Sequence, residues 1–285
     1  MSGANDNHSW NVAGREHHFD PAPWIMGILN MTPDSFSDGG QFVEVNAAVE
    51  RGLELVQQGA DLLDLGGEST RPGSEPVPEA EELRRVIPVI ERLAGQVETP
   101  LSIDTTKSAI AREALAAGAT IINDVSALTF DPKMAEVCAA SDCGVIIMHM
   151  QGTPRTMQDD PRYTNVVAEI VAYLDERIAS LGQRGIDRER IVVDPGIGFG
   201  KTAAHNVEIL SHMAAFHALG RPVLIGHSRK RFLGQLLGRK LDERTSGTLG
   251  VAIALAQQGT EILRVHDVAA VKDAITAWRA IAGSL

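Results

Sequence analysis

An α/β barrel of eight strand-helix units is the fold class that this sequence of 285 residues predicts. Short apolar runs alternate with longer amphipathic stretches, as expected when parallel strands alternate with the helices that cover them. There are eight such runs, which matches the (β/α)₈ or TIM barrel, and the length agrees with the ~250 residues usual for that fold. No Pro-, Gly- or Ser-rich linker divides the chain, so a single domain is predicted.

The eight apolar runs are rich in Val, Ile and Leu, a composition typical of strands that are buried on both faces. They occupy residues 24–30, 60–67, 100–104, 119–125, 144–150, 190–196, 221–228 and 261–267. The stretches between them, such as residues 164–185 and 205–220, have helical periodicity, and many end in Gly, a residue that favours the left-handed C-terminal cap. A doubly wound parallel sheet is the competing architecture, because its elements alternate in the same way.

The N-terminal residues differ from the rest of the chain. Residues 1–22 are polar, contain three of the nine histidines and lack a hydrophobic period. We therefore expect a flexible N-terminal tail over residues 1–22 and a barrel domain over residues 23–285. The tail also lacks the apolar centre of a signal peptide.

The charge and cysteine content exclude several classes of function. Against 26 Lys and Arg the chain has 37 Asp and Glu, a formal net charge of −11. Nucleic acids and anionic membranes bind surfaces rich in Lys and Arg, so neither is an expected partner, and no apolar run reaches the ~18 residues of a membrane span. Cys138 and Cys143 are too few for a Cys-based zinc site, which favours reduced thiols in a cytoplasmic protein.

Polar residues stand at the ends of the eight apolar runs. They are Asn30, Asp64, Glu68, Asp104, Asn123, His149, Asp194, His227, Ser228, Arg264 and His266. Strand ends converge on one face of a barrel, where barrel enzymes place their chemistry, and helix capping alone does not account for all of these residues. Cationic side chains at or just after the strand ends indicate an anionic ligand: Arg71, Lys201, Arg229, Lys230 and Arg264.

Three common catalytic motifs are absent. The segment DPGIGFGKT (194–202) fails the phosphate-loop pattern because Pro195 stands where that pattern requires Gly. The chain also contains neither H-E-x-x-H nor G-x-S-x-G, so zinc hydrolysis and a serine nucleophile elbow have no support.

Seven longer motifs occur in an order specific to one family. They are GILNMTPDSFSDGG (27–40), DLGGESTRPGS (64–74), SIDTTK (102–107), INDVSA (122–127), DPGIGFGK (194–201), GHSRKRFLG (226–234) and RVHDV (264–268). With these motifs the chain resembles, from about residue 25 to residue 278, the dihydropteroate synthases of the pterin-binding barrel superfamily. The resemblance implies a (β/α)₈ barrel, Mg²⁺ as cofactor and a homodimer.

The family's reaction is implied in the same way. Its members join 6-hydroxymethyl-7,8-dihydropterin diphosphate to p-aminobenzoate in folate biosynthesis, by a dissociative substitution at the pterin methylene that releases diphosphate and forms 7,8-dihydropteroate. Sulfonamides are expected to compete with p-aminobenzoate. A pterin-dependent methyltransferase and a non-catalytic pterin-binding protein remain as alternatives.

Site residues are also assigned by this resemblance. The pterin pocket corresponds to Asp104, Asn123, Met148, Asp194, Phe199 and Lys230. The diphosphate and metal site corresponds to Asn30, Arg264 and His266, with Asn30 on the metal. The p-aminobenzoate site corresponds to Phe36, Thr70, Arg71, Pro72, Ser228 and Lys230. Catalytic roles are implied for Asp38, Asp104, Lys230, Arg264 and His266.

The chemistry of these side chains agrees with the assignment. A pterin edge carries adjacent N–H donors, and a carboxylate such as Asp194 can accept two of them in parallel. Asn123 can donate and accept at once, while Phe199 and Met148 supply apolar contacts to the ring faces. We also expect the first two βα loops, which carry Phe36 and Asp38 and residues 70–72, to exclude water from the reaction.

Overall fold

The computed structural model describes residues 9–19, 22–31, 41–69 and 74–283. Two N-terminal strands, β1 (Ser9–Val12) and β2 (Arg15–His18), precede the barrel. The barrel strands are β3 (Trp24–Asn30), β4 (Leu62–Gly66), β5 (Leu101–Asp104), β6 (Ile121–Asp124), β7 (Gly144–Met148), β8 (Ile191–Asp194), β9 (Leu224–Ile225) and β10 (Ile262–Val265).

The eight barrel strands form one parallel sheet in the order β8-β7-β6-β5-β4-β3-β10-β9. A parallel bridge between Val193 and Val223 joins the two outer strands, and Val193 N–H donates to the Pro222 carbonyl at 3.0 Å. The sheet therefore closes on itself, which confirms the barrel and excludes the doubly wound sheet. Pro222, two residues before β9, has no N–H to extend the ladder in that direction.

Helices cover the outside of the barrel. Within the described residues they are α1 (Gln41–Gln57), α2 (Glu79–Ala94), α3 (Ser108–Ala116), α4 (Met134–Ala139), α5 (Val166–Gln183), α6 (Ala203–Leu210), α7 (Met213–His217), α8 (Arg231–Leu237), α9 (Thr245–Gln257) and α10 (Val268–Ala282). None of those described is long and apolar enough to cross a membrane.

The stretch 205–220, expected as one helix, is divided between α6 and α7. The break falls at Ser211 and His212, where His212 has φ −128° and ψ 42°. The His212 ring Nδ1 lies 2.7 Å from the Glu208 carbonyl oxygen and bonds to it. A side chain that bonds the local backbone in this way competes with the helical ladder.

The barrel interior changes from apolar to polar along the strands. Side chains two residues apart point to the same face of a strand, so each inward residue has a counterpart two positions later. The apolar member comes first in four such pairs, which are Leu62 and Asp64, Ile121 and Asn123, Val192 and Asp194, and Ile262 and Arg264. The polar residues consequently meet at the carboxyl end of the barrel, above a buried apolar layer.

β1 and β2 form an antiparallel hairpin that covers the opposite end of the barrel. Trp10 is fully buried against the apolar layer, together with Val12 and Phe19, and its Nε1–H donates to the Arg190 carbonyl at 2.8 Å. The prediction of a flexible tail is therefore wrong for residues 9–19. The hairpin is ordered because the apolar residues at this end of the barrel must be shielded from water, and its few apolar side chains provide that shielding.

Replacing Trp10 by Ala should lower the free energy of unfolding by about 3–5 kcal/mol, because the substitution leaves a cavity at the base of the barrel. Urea denaturation measures this change. The matched control is His18→Ala, at an exposed position of the same hairpin, which should alter stability by less than about 0.5 kcal/mol. Equal, small effects of both substitutions would contradict the packing role of the hairpin.

Candidate active site

Arg264 lies between two carboxylates at the carboxyl end of the barrel. Its Nε–H donates to Asp64 Oδ2 at 2.5 Å, and its Nη2–H donates to Asp104 Oδ2 at 2.8 Å. The side chain of Arg264 is 19% exposed, whereas that of Asp64 is completely buried. Charge-assisted bonds of this kind are the strongest in proteins, so one guanidinium holds the ends of β4, β5 and β10 in a fixed relation.

Asn123 extends this network to the next strand. Its Nδ2–H donates to Asp64 Oδ2 at 3.1 Å, so Asp64 accepts from both Arg264 and Asn123. The buried carboxylate thereby sets the orientation of the Asn123 amide.

Burial changes the titration of the two carboxyl groups that line the site. Loss of solvent raises the pKa of Asp104 to about 7, although the Arg264 charge opposes the shift. Burial likewise raises the pKa of Asp194 to about 6, opposed by the Gly196 N–H, which donates to Asp194 Oδ1 at 2.7 Å. Both groups therefore change charge near neutral pH, a property concentrated at functional sites.

A cation and an aromatic ring lie side by side at this end of the barrel. Lys230 Nζ is 4.2 Å from the centroid of the Phe199 ring. Burial and the Arg264 charge lower the pKa of Lys230 to about 8, while the charges of Asp194 and Asp104 favour its protonated form. The Phe199 ring belongs to a small apolar cluster with Met148. Together they provide an apolar surface next to a positive charge.

Ser228 and His266 meet where β9 and β10 end. The Ser228 hydroxyl lies 3.1 Å from His266 Nδ1 and accepts from the His266 backbone N–H at 3.3 Å. At the end of β3, Asn30 Oδ1 points toward Gly66, since a Cβ added to Gly66 would lie 3.8 Å from it and 3.7 Å from Asp104 Cβ. Asn30 and Asp104 therefore both lie beside Gly66.

The structure brings most of the predicted site residues to one end of the barrel. They are Asn30, Asp104, Asn123, Met148, Asp194, Phe199, Ser228, Lys230, Arg264 and His266. The remaining predicted residues, Phe36, Asp38, Thr70, Arg71 and Pro72, lie outside the described residues.

Two of the predicted cations are engaged elsewhere, so the expectation that they face an anionic ligand needs correction. Arg229 is exposed and pairs with Asp267, with Nη2 2.6 Å from Oδ1. Lys201 is buried and donates to backbone carbonyl groups. Position directly after a strand did not distinguish these residues from Lys230, because it does not fix which way a loop side chain points. Arg264 differs because it lies within β10, where the strand period fixes its direction.

Asp64 was absent from the residues assigned by resemblance, yet it is the buried partner of Arg264. The signal that identifies it is local: it follows the inward-facing Leu62 by two residues, so it must point into the barrel. His227, by contrast, is buried with Nε2 bonded to the Thr248 carbonyl, and Glu68 pairs with Lys107.

The fold and this ring of polar residues define a barrel enzyme with a site for a small polar ligand. The model of the family described as "Pterin binding enzyme" matches residues 26–266. The dihydropteroate synthase of Escherichia coli K12 is 46% identical over 263 residues, which cover 92% of each chain.

Two solved structures are similar over nearly the whole chain. The Xanthomonas albilineans dihydropteroate synthase with 4-aminobenzoic acid has a TM-score of 0.90 and 50% identity, covering 97% of this chain and 98% of that one. The Yersinia pestis enzyme with a sulfonamide drug complex has a TM-score of 0.89 and 40% identity, covering 96% and 99%. The chain therefore belongs to the dihydropteroate synthase family of pterin-binding enzymes, and the resemblance inferred from its motifs is confirmed.

Replacing Arg264 by Met should destabilise the protein in a pH-dependent way. The folded-state pKa of Asp104, about 7, exceeds the ordinary value of 3.8, so the stability that its protonated form contributes at low pH is lost as pH rises through about 7. Without Arg264 that pKa rises further, and the loss continues to higher pH. Urea denaturation should therefore show a deficit that is about 1 kcal/mol larger at pH 8 than at pH 5, since each pH unit above 7 adds at most about 1.4 kcal/mol.

The matched control is Arg155→Met, since Arg155 pairs with Glu75 at an exposed site. This substitution should change stability by less than about 1 kcal/mol at both pH values. A deficit in Arg264→Met that is independent of pH would show that Asp104 does not depend on this guanidinium.

Proposed function

We propose that this chain condenses 6-hydroxymethyl-7,8-dihydropterin diphosphate with p-aminobenzoate to give 7,8-dihydropteroate and diphosphate. The observation that carries the proposal is that Lys230 lies against the Phe199 ring at the end of the barrel where Asp194, Asn123 and Arg264 also lie. Family membership and the 4-aminobenzoic acid of the Xanthomonas albilineans relative support it.

In this proposal Asp194 and Asn123 recognise the pterin edge. Gly196 N–H holds Asp194 Oδ1, which orients the carboxylate to accept two parallel N–H donors. Asn123 Nδ2 is held by Asp64, so its amide presents a fixed pattern to the remaining atoms of the edge. The Phe199 ring and Met148 pack against the pterin face.

The bond that breaks joins the pterin methylene carbon to the diphosphate oxygen, and its electron pair leaves with diphosphate. Arg264 and His266 stabilise the growing negative charge, since only two N–H groups of Arg264 are bonded to Asp64 and Asp104. The carbon left behind is a cation conjugated with the dihydropterin, and Asp104 stabilises it. The aromatic amine then attacks this carbon and loses a proton.

Mg²⁺ is the proposed cofactor, with Asn30 as the protein ligand. The described residues contain no group of three His, Cys, Asp or Glu side chains able to hold a metal by themselves. An amide oxygen at the mouth of the site still fits, because Mg²⁺ prefers oxygen donors and is commonly held by few protein groups together with substrate phosphates and water. When bound, the ion polarises the diphosphate and neutralises charge on the leaving oxygens.

The p-aminobenzoate site in this proposal combines Ser228 and Lys230 with residues outside the described part of the chain. Those residues are Phe36, Thr70, Arg71 and Pro72, and Asp38 is assigned a catalytic role beside them. The first two βα loops would then exclude water that could capture the cation.

A homodimer in the cytoplasm completes the proposal. Large apolar side chains are exposed on the C-terminal helices and the turn between them, with Leu236 63%, Leu241 54% and Ile281 70% accessible. An interface between copies of the chain would cover exposed apolar side chains of this kind. The free thiols of Cys138 and Cys143 agree with a reducing compartment.

A diphosphate-release assay tests the proposed reaction. Protein, Mg²⁺ and the dihydropterin diphosphate should release diphosphate in a manner that depends on p-aminobenzoate, with 7,8-dihydropteroate as the second product detected by chromatography. Asp194→Asn should lose pterin affinity by about tenfold or more, because an amide cannot accept two parallel N–H bonds.

The control is Asp175→Asn, a change on α5 outside the site, which should leave turnover and pterin affinity unaltered. Diphosphate release at the same rate without p-aminobenzoate, or without dihydropteroate formation, would contradict the proposed reaction. Unchanged pterin affinity in Asp194→Asn would contradict the pocket.

A further inference from the structure

We propose that Lys201 is a positioning residue for the pterin pocket, which holds the segment 196–200 against the end of β7 and thereby sets the place of Phe199. The inference rests on the proposed function, since it concerns the same pocket. Lys201 does not itself face the mouth of the site: its side chain is buried, and the residue is 3% exposed.

The Lys201 ammonium group is surrounded by three acceptors. Nζ donates to the Phe199 carbonyl at 2.9 Å and to the His149 carbonyl at 3.3 Å, and it lies 3.1 Å from His149 Nδ1. An ammonium group has three N–H donors, and a buried one must satisfy them. Lys201 therefore links the backbone of the segment 196–200 to the residue that follows β7.

The charge states of the two side chains agree with this geometry. Burial and the nearby Lys201 charge lower the pKa of His149 to about 3, so its imidazole is neutral near pH 7. Burial lowers the pKa of Lys201 to about 7, and the charge of Asp194 favours the protonated form. A charged Lys201 can only donate, so Nδ1 of the neutral ring accepts and the ring proton resides on Nε2.

Other side chains hold the same segment from the surrounding elements. Gly198 N–H donates to Asn206 Oδ1 at 2.7 Å, and Gln158 Nε2–H donates to the Gly198 carbonyl at 2.9 Å. The Tyr163 hydroxyl donates to the Gly200 carbonyl at 2.9 Å. Lys201 supplies the bond at Phe199, the residue of this segment whose side chain contributes to the pocket.

The segment also lies close to the backbone after β7. A Cβ at Gly196 would stand 1.9 Å from the His149 carbonyl oxygen, and one at Gly200 would stand 2.7 Å from the Gln151 carbonyl oxygen. Backbone therefore packs on backbone, leaving no room for an intervening side chain. The carbonyl groups brought together in this way need a donor, which Lys201 provides at His149 and Phe199.

Displacement of this segment would reach the catalytic groups directly. The Phe199 ring packs against Met148 and lies 4.2 Å from Lys230 Nζ. A Cβ on Gly198 would lie 3.2 Å from Lys230 Cδ, so the segment also forms a wall along the Lys230 side chain. Asn206 and Gln158 still hold Gly198 beside Lys230 when the Lys201 bonds are lost. The loss should therefore displace mainly Phe199, and alter pterin binding more than binding of p-aminobenzoate.

Steady-state kinetics of Lys201→Met provide the test, because Met keeps a similar length but has no donors. We expect the KM for the dihydropterin diphosphate to rise about tenfold and the KM for p-aminobenzoate to change less than about twofold. The matched control is Lys272→Met, which removes a lysine paired with Asp61 and should leave both KM values within about twofold. Lys201→Gln, which retains an N–H donor, should have an intermediate effect and serves if the Met variant does not fold.

A double-mutant cycle separates positioning from general destabilisation. If Lys201 acts through Phe199, then Lys201→Met should add less than about twofold to the pterin KM in a Phe199→Ala background. Equal increases in both KM values, or the same tenfold factor in that background, would overturn the inference. Failure of wild-type turnover would instead reject the proposed function. In that case titration calorimetry compares the affinity of the wild type and of Lys201→Met for 6-hydroxymethyl-7,8-dihydropterin. Unchanged affinity in Lys201→Met would overturn the inference.

Discussion

The two ion pairs of Arg264 are the interaction on which the rest of the site depends. Asp64 and Asp104 point into the same end of the barrel because each follows an inward-facing position on its strand, and without a cation their negative charges would repel each other in a buried setting. Arg264 comes from β10, on the other side of β3. It therefore joins strands that are distant in sequence but close together in the closed barrel.

This arrangement explains how a chain of net charge −11 can bind anionic substrates. Positive charge is concentrated at the mouth of the barrel, in Arg264 and Lys230, and Arg264 offsets the charges of Asp64 and Asp104 through its two ion pairs. The apolar layer below, covered by the N-terminal hairpin, excludes water from the other end. Burial thus sets both the charge states and the direction from which ligands enter.

The sequence predicted the features that depend on local pattern. Eight apolar runs became the eight barrel strands, and the polar residues at their ends, including Asp104, Asn123 and Asp194, met on one face. The hairpin was not predicted because its apolar residues are few and are buried only by packing against the base of the barrel. Arg229 and Lys201 were misplaced because loop conformation, unlike strand period, does not fix the direction of a side chain.

The pKa of Asp104 tests the central role of the shared guanidinium most directly. Carboxyl ¹³C NMR titration of the wild type and of Asp64→Asn measures it in the unliganded protein. Removing the Asp64 charge leaves Arg264 to Asp104 alone, so the pKa of Asp104 should fall from about 7 to below about 6. An unchanged or higher pKa of Asp104 in Asp64→Asn would show that the two carboxylates do not share the guanidinium.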